Sequence, residues 1–158
     1  MRNIVFIDTR IGKIAIEENG RAITDVYIVN EEIEENDSIL LKETDLLKEA
    51  SKQIQEYFEG KRQNFNLALE PKGTEFQQKV WNALKEIPYG ETRSYGEVAK
   101  MIGNEKAARA VGMANNKNPI MIIIPCHRVI GANGKLVGYS EGLSIKETLL
   151  NLEKHNKN

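Results

Sequence analysis

The sequence predicts an α+β fold, with a small strand-rich N-terminal domain carrying one or two helices (1–70) and a mainly helical C-terminal domain (71–158) containing a helix-turn-helix. Three observations predict it. Apolar residues alternate with polar ones up to Leu69, then recur at helical spacing beyond Pro71-Lys72-Gly73. Three hydroxyl residues, each followed three positions later by Glu or Gln, stand ahead of apolar stripes only in the second part. Charge divides at the same place: residues 1–70 carry 9 Lys+Arg against 15 Asp+Glu, whereas residues 71–158 carry 13 against 8, within an overall net charge of −1. A basic half in an otherwise acidic chain fits a polyanionic partner met by that half, or a solvated imbalance without function.

In the first part, Asn3–Asp8, Lys13–Glu17 and Ala22–Val29 read as strands, the last two joined by Asn19-Gly20, a two-residue hairpin signal. An acidic loop runs from Glu31 to Asp37. Leu47, Ala50, Ile54, Tyr57 and Phe58 then keep helical spacing between Thr44 and Glu59, and Gly60 stops the helix. Phe65, Leu67 and Leu69 alternate as one more strand. No titratable groups here fall into a catalytic pattern, so this half reads as scaffold.

In the second part the capping boxes are Thr74/Gln77, Ser94/Glu97 and Ser144/Glu147. After the first, Phe76, Val80, Leu84 and Ile87 keep one apolar face until Pro88, a helix of about three to four turns. After the second, Tyr95, Val98, Ala99 and Ile102 make a short helix ending at Gly103, and Lys106 to Asn115 make another, the helix-turn-helix arrangement. Ala107, Ala108, Ala110, Gly112 and Ala114 are small, and Arg109 is the long residue among them. Such a helix suits sequence-tolerant contact in a minor groove, or simply packs its alanines with Arg109 solvated.

A single cysteine excludes an internal disulfide and a multi-cysteine zinc site, and with only His127 and His155 a structural metal is not expected. The longest apolar run is Ile120 to Ile124, too short for a membrane span, and Met1 to Gly20 is broken by Arg2, Asp8, Arg10 and Lys13, which argues against a signal peptide. The expectation is a soluble chain in a reducing, cytoplasmic compartment.

That one cysteine, Cys126, is followed directly by His127 and preceded by Pro125 and the apolar run. A thiol attacks carbon only as thiolate, so a neighbouring base can turn an inert thiol into a nucleophile. The pair also admits the reading of a small buried hydrophobe beside a satisfied histidine. Ile145, Leu149 and Glu153 lie four apart on the third capped helix, which sets a carboxylate on an apolar face. Glu153 either orients His127 as the third member of a relay or sits exposed at a frayed helix end.

PCHRVI, followed by Gly138-Tyr139-Ser140, Gly142-Leu143 and Lys146-Glu147 and preceded by SYGEVA (94–99), AARAVG (107–112) and Asn118-Pro119, resembles the O6-alkylguanine-DNA alkyltransferases over about residues 72 to 153. The resemblance implies Cys126 as alkyl acceptor, His127 as its base through a water, Glu153 orienting His127, and Asn118 holding the cysteine loop. It implies that Tyr95 helps extrude the target nucleotide and protonates the departing guanine. Arg109 would enter the stack in its place, with Ala108 and Arg128 as further DNA contacts. The backbone at Cys126 and Val129, with Ser140, would read the guanine edge, and Tyr139 and Met113 would wall the pocket or its approach. The implied partner is double-stranded DNA containing O6-alkylguanine, bound through the minor groove by a monomer, without cofactor or metal. The base must be flipped to be reached. The thioether product has no leaving group for water to displace, so each molecule would react once.

This chain departs from the usual pattern at Glu141, where a small residue is common, and at Met121, where many relatives carry proline. The expected consequences are poor fit of large O6 substituents and a more flexible approach. Two other classes compete: a lesion-binding sensor without chemistry, in which the cysteine is replaced, and a helix-turn-helix regulator, which needs several base-reading side chains in its second helix. Cys126 argues against the first and Ala107 to Ala114 against the second.

Overall fold

A computed structural model describes residues 2–31, 33–35, 39–136, 139 and 142–157. The chain divides into two compact units, Met1–Lys72 and Gly73–Asn158. The first holds a four-stranded sheet in the order β3-β2-β1-β4, built from β1 (Arg2–Thr9), β2 (Gly12–Glu18), β3 (Ile23–Ile28) and β4 (Ile39–Leu41). The first three strands run antiparallel as a meander, and β4 lies parallel to β1. Helix α1 (Asp45–Phe58) buries Leu47, Ala50, Ile54 and Tyr57 and packs against β1, β2 and β3. Each fully buried aliphatic side chain contributes about 1.5–3 kcal/mol, whereas the Thr44 cap on Leu47 N contributes about 1 kcal/mol. Packing therefore holds α1, and the cap sets where it begins.

Two features of this unit differ from the sequence expectation. Glu18 pairs with Ile23, so the β2–β3 connection spans Asn19 to Ala22, and the Asn19 side chain organises it by accepting from the N–H groups of Arg21 and Ala22, both at 3.0 Å. The tight two-residue turn is instead Arg10-Ile11, where Thr9 Oγ1 donates to Gly12 O and accepts from Ile11 N. The alternating segment Phe65 to Leu69 makes only a bridge from Leu69 to Ile23. Gln53 explains this: its side-chain amide bonds both Asn66 N (2.9 Å) and Asn66 O (3.2 Å), satisfying backbone groups that a neighbouring strand would otherwise take.

The second unit contains α2 (Glu75–Leu84), α3 (Tyr95–Met101), α4 (Ala108–Asn116) and α5 (Leu143–Asn156), with a two-residue parallel pair, β5 (Arg93–Ser94) and β6 (Val129–Ile130). The boxes Thr74/Gln77 and Ser94/Glu97 both form, each with its reciprocal side-chain bond. The third does not. Gly142, at φ +105°, turns the chain so that α5 starts at Leu143, which leaves Ser144 inside the first turn with its carbonyl accepting from Thr148 Oγ1. Helices α2, α3 and α4 pack on one another, and buried Trp81 donates from Nε1 to Ala114 O at 2.9 Å, pinning α2 to α4.

Candidate active site

The segment between α4 and β6 presents the thiol. Asn118 closes it like a clasp, with Nδ2 donating to Ile124 O (2.8 Å) and Ile120 O (3.3 Å) and Oδ1 accepting from Ile120 N (3.0 Å). Within the clasp Ile122 sits buried at φ +72°, a left-handed conformation that costs a β-branched residue energy and persists only where the surroundings impose it. The chain then enters a 3₁₀ turn, Cys126–Arg128, closed by Val129 N donating to Cys126 O.

Cys126 is only 4% exposed. Burial pushes its thiol up to about 11, against side-chain hydrogen bonds from Asn118 and Tyr139 and the nearby Lys146 charge, which pull the other way. At neutral pH the resting thiol therefore keeps its proton. His127 and Glu153 are fully buried, and His127 Nε2 meets Glu153 Oε2 at 2.6 Å. Burial drives the His127 pKa down, more than the Glu153 carboxylate raises it, so the imidazole is neutral. Burial alone would raise Glu153, but its bonds from His127 and Arg128 hold it well below the usual carboxylate range. A carboxylate facing Nε2 fixes the Nε2–H tautomer, which leaves Nδ1 as an acceptor. Nδ1 is buried and meets no hydrogen-bond partner among the described residues.

Arg128 requires a correction. Expected as a DNA contact, it is 6% exposed and turned inward, gripping Glu153 through Nε (2.8 Å) and Nη2 (3.1 Å) while Nη1 donates to Ile87 O (2.7 Å). A guanidinium this deep needs a carboxylate, and the bidentate pair supplies it. Gly90 N adds a fourth bond to Glu153, at 3.1 Å. Sequence reasoning missed both holders of Glu153, because a backbone donor leaves no mark in the sequence and Arg128 looked like one more cation of a basic half.

The resemblance-based residues fall into two sets. Tyr95 is half-buried at the start of α3, its phenol pKa raised first by burial and then by the charge that Cys126 carries once ionised, with its ring lying over Gly112 of α4. Val129 and Tyr139 are buried. On α4, Ala108 is partly exposed, Arg109 is exposed, and Met113 is 67% exposed. Gly138, Ser140 and Glu141 lie outside the described residues. Two buried residues were not singled out. Lys146, fully buried, donates from Nζ to Val129 O and lies 5.8 Å from the Tyr139 ring centroid, and burial lowers its pKa to about 8. Asn115 donates to Cys126 O. Both stand on apolar faces of their helices, Asn115 four after Val111 and Lys146 three before Leu149, the same signal that exposed Glu153.

The chain is similar to known proteins over both units. The family description "6-O-methylguanine DNA methyltransferase, DNA binding domain" matches residues 75–155, and "6-O-methylguanine DNA methyltransferase, ribonuclease-like domain" matches residues 4–71. A methylated-DNA–protein-cysteine methyltransferase of Methanosarcina acetivorans is 59% identical over 140 residues, 89% of each chain, and one of Mycobacterium leprae is 50% identical over 149 residues, 94% of this chain and 90% of the relative. Among solved structures, the O6-methylguanine methyltransferase of Mycobacterium tuberculosis superposes with a TM-score of 0.90 at 44% identity, covering 100% of this chain and 96% of that one. The M. tuberculosis protein in complex with DNA gives 0.86, covering 98% and 94%. With both units matched and identity far above chance over nearly the whole length, the chain belongs to the 6-O-methylguanine DNA methyltransferase family.

Proposed function

We propose that this chain repairs DNA by direct reversal, moving the alkyl group of an O6-alkylguanine onto Cys126 in a single event per molecule. The observation that carries the reading is the buried His127–Glu153 pair directly after Cys126: a neutral imidazole held at Nε2, with Nδ1 left as a proton acceptor. Through one water, His127 takes the thiol proton, and the resulting imidazolium is stabilised by Glu153. The thiolate attacks the sp3 carbon on O6. An S–C bond forms, the C–O bond breaks, and the electron pair leaves on the guanine ring, which takes a proton from Tyr95.

The thioether cannot be hydrolysed, so the thiol is not regenerated. Exposed Arg109 and the small residues of α4 support docking in the minor groove of duplex DNA with the target nucleotide extruded, and a single chain holds every group the chemistry uses, which supports a monomer. No helix among the described residues is long and apolar enough to cross a membrane, and the unpaired thiol suits a reducing cytoplasm.

The test is stoichiometric. With excess duplex containing O6-methylguanine, intact-mass analysis should find at most one methyl per chain, about 14 Da on the peptide holding Cys126, with plain guanine left in the DNA. Wedging that methyl beside a buried sulfur should also lower stability by about 1–3 kcal/mol. Product beyond one equivalent, or mass gain elsewhere, overturns the reading.

A further inference from the structure

The inward side of α4, with Val111, Ala114 and Asn115 buried behind Ala107, packs on α2 and α3. The exposed positions of α4 and its flanks are Lys106, Arg109, Ala110, Met113, Asn116 and Lys117, spaced at the three- and four-residue intervals of one stripe. Three of the six are cations. Among them stands Met113, at 67% the most exposed of the large apolar side chains among the described residues. A single apolar residue on a surface is ordinary, but two features of this one point to an occupant. Its neighbours are short, Ala110 one turn before it and Gly112 beside it, so the helix does not cover the thioether. The stripe around it is cationic and belongs to the second helix of the helix-turn-helix, inside the region that matches a DNA-binding domain.

Cations on either side of an apolar centre complement a minor groove, where two rows of phosphates border a floor of sugars and base edges. The groove is about 6 Å wide, enough for an unbranched, flexible side chain such as methionine. Met113 follows Arg109 by four residues, about 6 Å along the helix axis, which spans about two base steps of 3.4 Å. We propose that Met113 is a second wedge, whose thioether enters the minor groove within about two base steps of the gap that Arg109 fills and presses on the deoxyriboses and base edges there. This rests on the minor-groove reading given above. It differs from the pocket wall that the resemblance implies for the residue. Lys106 and Lys117, at the two ends of the stripe, meet the flanking phosphates. Because the wedge contact is apolar, it tolerates any sequence and neutralises no phosphate, and it holds open a deformed step beside the extruded nucleotide.

The test separates apolar from ionic contact. Binding to a duplex carrying O6-methylguanine is measured in a Cys126→Ala parent, which leaves the lesion in place, and in that parent with Met113→Gln, Met113→Ala or Met113→Leu added. Gln, of similar length but polar, and Ala should each weaken binding by about 5- to 30-fold, part of the value of a fully buried methionine, and Leu by no more than about threefold. The slope of log affinity against log salt should be unchanged in all three, whereas Lys117→Ala should reduce it by about one. A fluorescent 2-aminopurine one or two steps from the lesion should brighten when the parent binds, and one five steps away should not. A loss below twofold for both Gln and Ala, or a fall in their salt slope, overturns the proposal. So does a parent that brightens neither nearby probe, a result independent of whether any Met113 variant folds. With Cys126 intact, a Met113→Gln variant that loses as much rate on free O6-methylguanine as on duplex assigns the residue to the pocket and also overturns it. A parent that binds the duplex yet is not displaced by a minor-groove-binding polyamide overturns the minor-groove reading itself, and this proposal with it.

Discussion

Replacing Glu153 by Gln tests whether the relay or the packing makes Cys126 reactive. The glutamine amide presents an N–H to His127 Nε2 where a carboxylate accepted, so the imidazole moves its proton to Nδ1 and ceases to be a base. The magnitude can be worked from the thiol. At about 11, Cys126 is ionised at pH 7 to roughly one part in 10⁴, equivalent to about 5.4 kcal/mol that the relay has to offset. General-base assistance typically contributes 10²–10⁴-fold, enough to cover most of that gap. Glu153→Gln should therefore slow alkylation at pH 7 by at least about 10²-fold, and the deficit should shrink about tenfold per pH unit towards pH 10 as the thiol ionises unaided.

The substitution also leaves Arg128 buried without its carboxylate, at a cost of about 3–5 kcal/mol. The companion variant Glu153→Gln/Arg128→Met removes that charge and should recover much of the stability without the relay. The assay is intact-mass alkylation by free O6-methylguanine between pH 6.5 and 10, on protein shown to be folded by circular dichroism. Lys146, near 8, titrates within this window in every variant, so the ratio to wild type is the observable. A deficit of the same size at pH 7 and pH 10, or none in the companion variant, would refute the relay.

Arg109→Ala should impair repair of duplex DNA by about tenfold or more while leaving reaction with the free base unchanged, because only a duplex has a gap to fill; equal losses on both would contradict a wedge role. Stability should also depend on pH through the two buried groups around the thiol. Lys146 titrates near 8 when folded and near 10.4 when unfolded, so between those values the unfolded chain binds more protons and stability rises with pH. Cys126, at about 11 folded and about 8.5 unfolded, acts in the opposite direction. Urea unfolding of Cys126→Ala should accordingly show a gain of up to about 3 kcal/mol from pH 8 to pH 10.4, and adding Lys146→Met should flatten it. A flat Cys126→Ala profile would show that Lys146 is solvated.

The fold class was legible because its signals are local. Thr74/Gln77 and Ser94/Glu97 close on themselves within four residues. Ser144/Glu147 carries the same letters, but Gly142 turns the backbone into α5 before Ser144 can act. The strand expected at Phe65 to Leu69 depends on a partner that periodicity cannot see, and the Gln53 side chain takes its place. β4 is three residues long, too short to carry a pattern. In the site, the spacing of Ile145, Leu149 and Glu153 brought a carboxylate to an apolar face, and His127 is where it leads. The hold of Arg128 and Gly90 on that carboxylate was not legible, since it depends on how the turn after Pro88 returns to α5.

The orienting carboxylate stands near the end of α5, whereas the sulfur it serves leaves the ribosome 27 residues earlier. A chain interrupted between the two holds a thiol with no carboxylate to orient its histidine. If the chain is consumed by its own reaction, as proposed above, the relay has to be complete before the single equivalent of nucleophile is spent on a lesion at neutral pH. Nicking or fraying of α5 would disarm it again without touching the thiol, so the abundance of such a protein and its repair capacity need not be the same quantity.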